Sequence, residues 1–364
     1  MSWFKSQGIG IAGISSAVPS HITGRTENTQ RFGDKEVDKF IKTTGIREVR
    51  RSSIHQTAAD LGFCAAEHLL TQLDIDRENI GCLVFVTLSP DYRRPPTSCV
   101  LQMRLNLPVD CAALDVGHGC AGFVYGQQAV HSLMAQSDMK YGLLILGETA
   151  SKVAGENDHS SMIFGDAGAA VLYERKENSS CTSCNTVLRS DGSGYRAIIL
   201  PAGGFRDINP EREAVVCSDG VSRTKYDLFM DGMAVLSFSI SRVPEAVREF
   251  LEVSGTKIAD YDLFAFHQAN SFILRQLIKR LSLPQEKVPI SMDRYGNTSS
   301  VSIPLTICDC YGGKASGTKK VLASGFGVGL AWGVTDFEVD AAKVFPVIET
   351  DEYFAAGRID LQTL

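Results

Sequence analysis

The sequence predicts an α/β protein of layered sheets and helices, and three observations carry that prediction. Four nearly continuous apolar runs, at residues 81–89, 140–148, 261–268 and 319–326, have the length of strands buried on both faces, as in a sheet held between helices. Apolar residues recur at helical spacing between them, at 57–73, 121–136, 233–253 and 271–283. The runs fall two to each half of the chain. Each follows a polar turn and leads into a glycine-containing or helical segment, so the halves read as versions of one plan. Strand–helix alternation of this kind is the pattern of α/β layering.

In chain order, residues 8–14 read as the opening strand and residues 111–116 as a short buried strand. A glycine-bounded turn and a helix from 121 follow the second of these, and a further helix covers 303–311. The least regular stretch, 191–227, is rich in Gly, Pro, Arg and Asp and reads as a connection. The expected division is an N-terminal half at 1–190, a connecting segment at 191–226, a C-terminal half at 227–339 and an extension at 340–364. In that extension Val344-Phe-Pro-Val-Ile and Tyr353-Phe imply packing on the body. The glycines of Phe164-Gly-Asp-Ala-Gly-Ala-Ala lack the spacing of a dinucleotide fingerprint and suit close strand packing, with Asp166 in a structural hydrogen bond.

A chain of 364 residues can bury a large core, and 44% apolar content is that of an ordinary globular protein. Net charge of −6 with no basic run argues against nucleic acid as the main partner. No apolar stretch approaches the length that spans a bilayer, and the first residues lack the pattern of a secretory signal. The expected location is therefore cytoplasmic, where the ten cysteines stay reduced. Cys181-Thr-Ser-Cys184 is a lone pair without a second pair at zinc-ribbon spacing, so no metal site is expected; Cys308 and Cys310 read as packing residues.

The most informative segment is Asp115-Val-Gly-His-Gly-Cys120-Ala-Gly-Phe-Val-Tyr-Gly126. It puts Cys120 on a tight strand-to-helix corner, at the positive end of a helix. Unpaired backbone N–H groups there favour a thiolate and can hold an oxyanion. The bland alternative is a buried structural cysteine, the usual fate of a free thiol. Two further segments weigh against it: an apolar strand that ends on His267, and Asn297 in a glycine turn before small residues. A Cys, a His and an Asn at the ends of separate strands form a thiol-nucleophile site.

These segments occur with others in a characteristic order. Thr44-Gly-Ile-Arg-Glu48, Gly119-Cys-Ala-Gly-Phe123, Phe164-Gly-Asp-Ala-Gly-Ala-Ala170, His267-Gln-Ala-Asn270, Gly296-Asn-Thr-Ser299 and Gly325-Phe-Gly-Val-Gly-Leu-Ala-Trp-Gly333 resemble the motifs of β-ketoacyl-acyl-carrier-protein synthase III, of the thiolase-like superfamily. The resemblance spans residues 8–339. It implies the thiolase-like fold, two similar halves in an α-β-α-β-α stack. It implies acyl transfer to Cys120, then decarboxylative condensation with a malonyl thioester on His267 and Asn297, with the N–H groups of Cys120 and Val328 as oxyanion hole. It also implies acyl-carrier-protein or coenzyme A thioesters as substrates, no cofactor, and a homodimer.

The match has gaps. Phe40 stands where the family has a Trp that stacks on adenine, and the partner Arg falls near His159–Ser160. The aromatic residue that helps close the acyl pocket is replaced within Tyr92-Arg-Arg-Pro-Pro96. Phe272 replaces a basic carrier-docking residue, while Lys279 and Arg280 remain on the same helix, after Asn270, and with Phe40 complete the expected substrate-binding set. His118, two residues before the nucleophile, is a rival base where the family has a small residue. These departures point to a specialised lipid or secondary-metabolite pathway. An acyltransferase forming an ester or amide is the second reading, and a non-catalytic partner subunit the third. Intact Cys120, His267 and Asn297 favour condensation.

Overall fold

The computed structural model describes residues 2–155, 158–176, 183–217, 219–360 and 362. Its largest sheet has six strands in the order Ile348–Thr350, Ile9–Pro19, Ala167–Arg175, Tyr141–Glu148, Ile80–Val86, Ala112–Val116. A second sheet has five, in the order Trp3–Gln7, Ser183–Ser190, Ala331–Asp340, Thr318–Gly327, Leu263–Phe266. Four strands in each share one topology. Ile9–Pro19, Ala167–Arg175, Tyr141–Glu148 and Ile80–Val86 pair antiparallel, antiparallel, parallel. Ser183–Ser190, Ala331–Asp340, Thr318–Gly327 and Leu263–Phe266 do the same. The repeat that sequence identity shows only faintly is thus plain in the pairing.

Alternation along the strands separates three cores. In Tyr141–Glu148, Leu143 and Ile145 pack with Leu69 and Leu70 of the helix Ala58–Gln72 on one side of the sheet. Leu144 and Leu146 point the other way and join Phe123 and Ile307 from the central helices Gly122–Ala135 and Ser302–Tyr311. Those helices also cover Val321 and Ala323 of the second sheet. Leu322 and Phe264, on its opposite face, meet Val247 and Leu277 from the helices Gly232–Ser254 and Ser271–Leu281. Period-two burial on both faces of both sheets generates five layers, α-β-α-β-α.

Two sequence expectations need correction. The strand Ser183–Ser190, assigned to the N-terminal half, pairs with Ala331–Asp340 and opens the second sheet, so the boundary at 190 falls too late. Its Thr186 and Leu188 lie in a polar, cysteine-bearing segment that does not read as an apolar strand. Residues 112–116, expected to be buried, are exposed to half-buried because this strand pairs on one side only, with Ile80–Val86. The extension does pack on the body: Val344 is buried, the Phe345 N–H donates to the Ile14 carbonyl at 2.9 Å, and Ile348–Thr350 runs parallel to Ile9–Pro19. Cys181 lies outside the described residues, while Cys184 is buried beside Gln127 and Thr335.

The Phe164–Ala170 motif works as a packing device. Asp166 accepts from the N–H and hydroxyl of both Ser52 and Ser151, at 2.7–3.1 Å. A Cβ on Gly168 would stand 2.2 Å from the backbone carbon of Leu61 in the overlying helix, and backbone cannot yield as a side chain can. Gly168→Ala should therefore destabilise by at least ~1–3 kcal/mol, the usual cost of overpacking. Urea unfolding checks it; a midpoint unchanged from wild type would contradict the contact.

Candidate active site

A cavity of about 450 Å³ opens among strand ends and loops of the two halves, and Cys120, His267 and Asn297 all line it. Its other walls are largely apolar, including Ile163, Ile198, Leu200, Met230, Val235 and Phe326.

Cys120 sits two residues before the first residue of Gly122–Ala135, in a turn closed by Gly122 N–H donating to the Gly119 carbonyl at 2.6 Å. Close approach of the chain here depends on glycine. A Cβ on Gly327, at φ 157°, would lie 2.7 Å from Cys120 Cβ and 2.9 Å from Sγ. One on Gly122 would lie 2.5 Å from Val86 and 2.9 Å from Ser300. The loop after Thr318–Gly327 can therefore lie against the nucleophile. The N–H groups of Val328 and of Cys120 itself reach its sulfur, and Ser299 Oγ is 3.9 Å away. The thiolate expected from the helix end is nevertheless disfavoured at rest. Burial pushes the Cys120 thiol up to about 11, against the lowering from Ser299 and the two N–H groups.

His267 follows the strand Leu263–Phe266, and its N–H donates to the Ser324 carbonyl at 2.9 Å. Burial lowers its pKa to about 3, so the ring is neutral at physiological pH. Nδ1 lies 2.8 Å from Ser302 Oγ, which in turn donates to the Ser299 carbonyl at 2.8 Å. With that hydroxyl proton committed, Nδ1–H is the donor of the pair and Nε2 carries the lone pair. Asn297 follows Gly296, which adopts φ 67°, and is pinned by backbone bonds to Ile163 and Gly165 at 2.8 and 3.1 Å. Its Oδ1 accepts from the Ser299 N–H at 2.9 Å, which leaves the amide NH₂ for the cavity.

The other sequence candidates are spread more widely. Asn270 lines the cavity, but its Oδ1 caps the helix Ser271–Leu281 by accepting from the Ile273 N–H at 2.8 Å. Lys279 and Arg280 are exposed in the last turn of that helix. Phe40 is half-buried against the outer core and is not part of the cavity wall. His118 is not either; it stacks on Tyr125 with ring centroids 4.0 Å apart.

Sequence reading missed Glu148. It is buried in the cavity wall, where Oε1 accepts from the Leu88 N–H at 3.1 Å and Oε2 from Ser89 Oγ at 3.1 Å. Burial raises its pKa to about 8, so it is mostly protonated at neutral pH. The available signal was a lone acid closing the apolar strand Tyr141–Glu148.

Five layers with a Cys, a His and an Asn meeting between the halves define a thiolase-like condensing enzyme. Residues 114–192 match 3-oxoacyl-[acyl-carrier-protein (ACP)] synthase III, and residues 251–339 its C-terminal part. A β-ketoacyl-[acyl-carrier-protein] synthase III from Symbiobacterium thermophilum is 34% identical over 339 residues, 90% of this chain and 97% of that protein. Its counterpart from Caldanaerobacter subterraneus subsp. tengcongensis is 31% identical over 328 residues, 89% of this chain and 95% of that one. The crystal structure of a 3-oxoacyl-(acyl-carrier protein) synthase from Burkholderia xenovorans superposes with a TM-score of 0.88 at 34% identity, covering 96% of this chain and 99% of that one. The chain belongs to the β-ketoacyl-acyl-carrier-protein synthase III family and is an enzyme of that type.

The raised thiol has a measurable consequence. Below its pKa the thiolate fraction rises ten-fold per pH unit. Alkylation of Cys120 by iodoacetamide, followed by peptide mass spectrometry, should climb from pH 7 to 10 without levelling. A plateau below pH 8 would mean that the helix end and N–H groups outweigh burial.

Proposed function

We propose that this enzyme transfers an acyl group from a thioester to Cys120 and then condenses it with the enolate of a malonyl thioester. The observation that carries this reading is the convergence of Cys120, His267 and Asn297 on one apolar cavity, with the Cys120 and Val328 N–H groups directed at the sulfur.

In the first half-reaction Sγ attacks the thioester carbonyl, and the two N–H groups hold the oxyanion. A thiol of pKa about 11 is ionised to roughly one part in ten thousand at pH 7, so its proton needs an acceptor at the moment of attack. Nε2 of neutral His267 supplies one and returns the proton to the departing thiol. The Cys120–carbon bond forms first, and collapse of the tetrahedral adduct then breaks the bond to the donor sulfur. In the second half-reaction the malonyl C–C bond to the carboxylate breaks, releasing CO₂ and leaving an enolate. Asn297 NH₂ and His267 Nε2–H stabilise its oxygen. For this step Nδ1 gives its proton to solvent and Nε2 takes one from solvent, and the Ser302 hydroxyl turns from the Ser299 carbonyl to donate to Nδ1, which stabilises that tautomer. The enolate carbon joins the acyl carbonyl, the acyl–sulfur bond breaks, and Cys120 leaves as thiolate and takes a proton from solvent.

The size and apolar lining of the cavity favour an acyl chain longer than acetyl and a specialised pathway. No cofactor is assigned beyond the thioester substrates. The unpaired outer edge of Ala112–Val116 favours a homodimer, since an open strand edge pairs readily with its own copy. Nine unpaired cysteines among the described residues support a reducing compartment, the cytoplasm. No helix among the described residues is long and apolar enough to cross a membrane.

Asn297 decides between condensation and simple acyl transfer to an alcohol or amine. Asn297→Ala should cut malonyl decarboxylation about 10²–10³-fold while Cys120 is still acylated, because one preorganised donor is lost. Intact-protein mass spectrometry and CO₂ release measure the two steps separately. Normal decarboxylation in the variant would leave acyl transfer as the better reading.

The donor should be carrier-bound. Half-burial of Phe40 leaves little face for adenine, and losing an aromatic–Arg sandwich costs on the order of 1–2 kcal/mol. Lys279 and Arg280 are exposed for an acidic carrier. Acyl-carrier-protein should thus outcompete the matching acyl-coenzyme A for Cys120, by a margin that shrinks as salt rises. Equal or better use of coenzyme A at low ionic strength would overturn this choice.

A further inference from the structure

One wall of the cavity is supported by a part of the chain that the condensation chemistry does not use. Leu88 and Ser89 line the cavity and open a loop that runs to the helix Thr97–Arg104. Glu148 holds the start of this loop from inside through Leu88 N–H and Ser89 Oγ. Leu88 lies over the nucleophile turn, since a Cβ on Gly119 would stand 2.9 Å from its Cδ1. Further along the loop, the Tyr92 hydroxyl donates to the carbonyl of Gly357.

Gly357 belongs to residues 348–358, which are fastened to the body at successive points. Ile348–Thr350 is a strand beside Ile9–Pro19. Gln56 Nε2 donates to the carbonyls of Thr350 and Glu352, both at 3.0 Å, and the Phe354 N–H donates to Asp60 Oδ1 at 3.0 Å. The rings of Phe63 and Phe354 sandwich the Arg104 guanidinium, at 4.2 and 4.7 Å, while Arg104 pairs with Asp60 at 2.9 Å. That ion pair is almost fully buried, so Phe354 seals a desolvated charge pair that water would otherwise reach. A second link runs inward: Lys152, which lines the cavity, donates to the Gln56 carbonyl. The outward side of the 88–96 loop is held more loosely, by Arg93 and Arg94 at 5.8 and 5.9 Å over the exposed ring of Phe205.

We infer that residues 348–358 are a strap that fixes the 88–96 loop through Tyr92 and so limits the length of acyl chain the cavity accepts. This rests on the reading of the cavity as the acyl site. Leu88 is tethered on one side by Glu148 and, four residues on, by Gly357 through Tyr92. With both tethers in place the wall is fixed and a chain that needs more room is refused. With the outer one cut, the loop can swing away from the Gly119 turn.

Tyr92→Phe keeps the ring and removes the tether alone, and Phe354→Ala loosens the strap without touching the cavity. Acylation of Cys120 is followed by intact mass over straight-chain acyl thioesters from C4 to C14, and hydrogen exchange is followed at residues 88–96. Both variants should lengthen the longest chain accepted by about two carbons or more. Both should exchange several-fold faster at 88–96 and keep short-chain acylation within about two-fold of wild type. An unchanged length limit or unchanged exchange in both variants, with Cys120 acylated normally, overturns the strap and leaves the acyl site standing. Failure of wild-type Cys120 to take any acyl group overturns both.

Discussion

Everything at this site depends on backbone brought unusually close to one sulfur atom. The loop after Thr318–Gly327 reaches Cys120 because Gly327 carries no Cβ, and the turn before Gly122–Ala135 seats against Val86 because Gly122 carries none. The N–H groups of Cys120 and Val328 then converge on the sulfur, where they would suit an oxyanion. The same closeness exacts an electrostatic cost. Burial drives three of the ionisable groups that line the cavity toward their neutral forms: the thiol of Cys120, the imidazole of His267 and the carboxyl of Glu148. Neutral side chains around the sulfur suit an apolar acyl chain. Glu148 fits this economy in its protonated form; ionised, it would raise the thiol further.

The three residues that share the cavity, Cys120, His267 and Asn297, were legible in the sequence because each sits in a strong local signal. Cys120 stands in the glycine turn between an apolar strand and a helix, His267 follows directly on an apolar strand, and Asn297 follows a glycine in a turn. The four buried strands and four helices were legible for the same reason: double-sided burial and helical periodicity leave continuous or regular apolar patterns. What escaped has the opposite character. Ser183–Ser190 is a central strand with polar side chains satisfied by neighbours: Thr186 bonds Thr335 at 2.9 Å, and the Asn185 N–H bonds Asp336 at 2.8 Å. Local hydrophobicity cannot announce a strand whose partners lie about 150 residues away. Ala112–Val116 failed in the reverse sense, since an edge strand can be as apolar as a central one and still face outward. Glu148 left only a lone acid at the end of an apolar strand, and the Tyr92–Gly357 tether is a tertiary fact with no local pattern at all.

The duplicated plan explains why the chemistry sits where it does. The helix Gly122–Ala135 precedes the strand Tyr141–Glu148 as Ser302–Tyr311 precedes Thr318–Gly327, so the two central helices are equivalent in the two halves. Their N-termini meet, with Gly122 of one so near Ser300, just before the other, that a Cβ there would lie at 2.9 Å. Two positive helix ends therefore face a common space, which favours negative charge on whatever occupies it. Condensation requires that twice, first as an oxyanion on the attacked thioester and later as an enolate. A duplicated fold supplies both ends at once. The halves then diverge in side chains alone: the first places a nucleophile, Cys120, ahead of its helix, while the second places Asn297, Ser299 and the Ser302 partner of His267 around its own. Symmetry in the backbone supplies the field, and asymmetry in these few residues turns it into a sequence of two different steps.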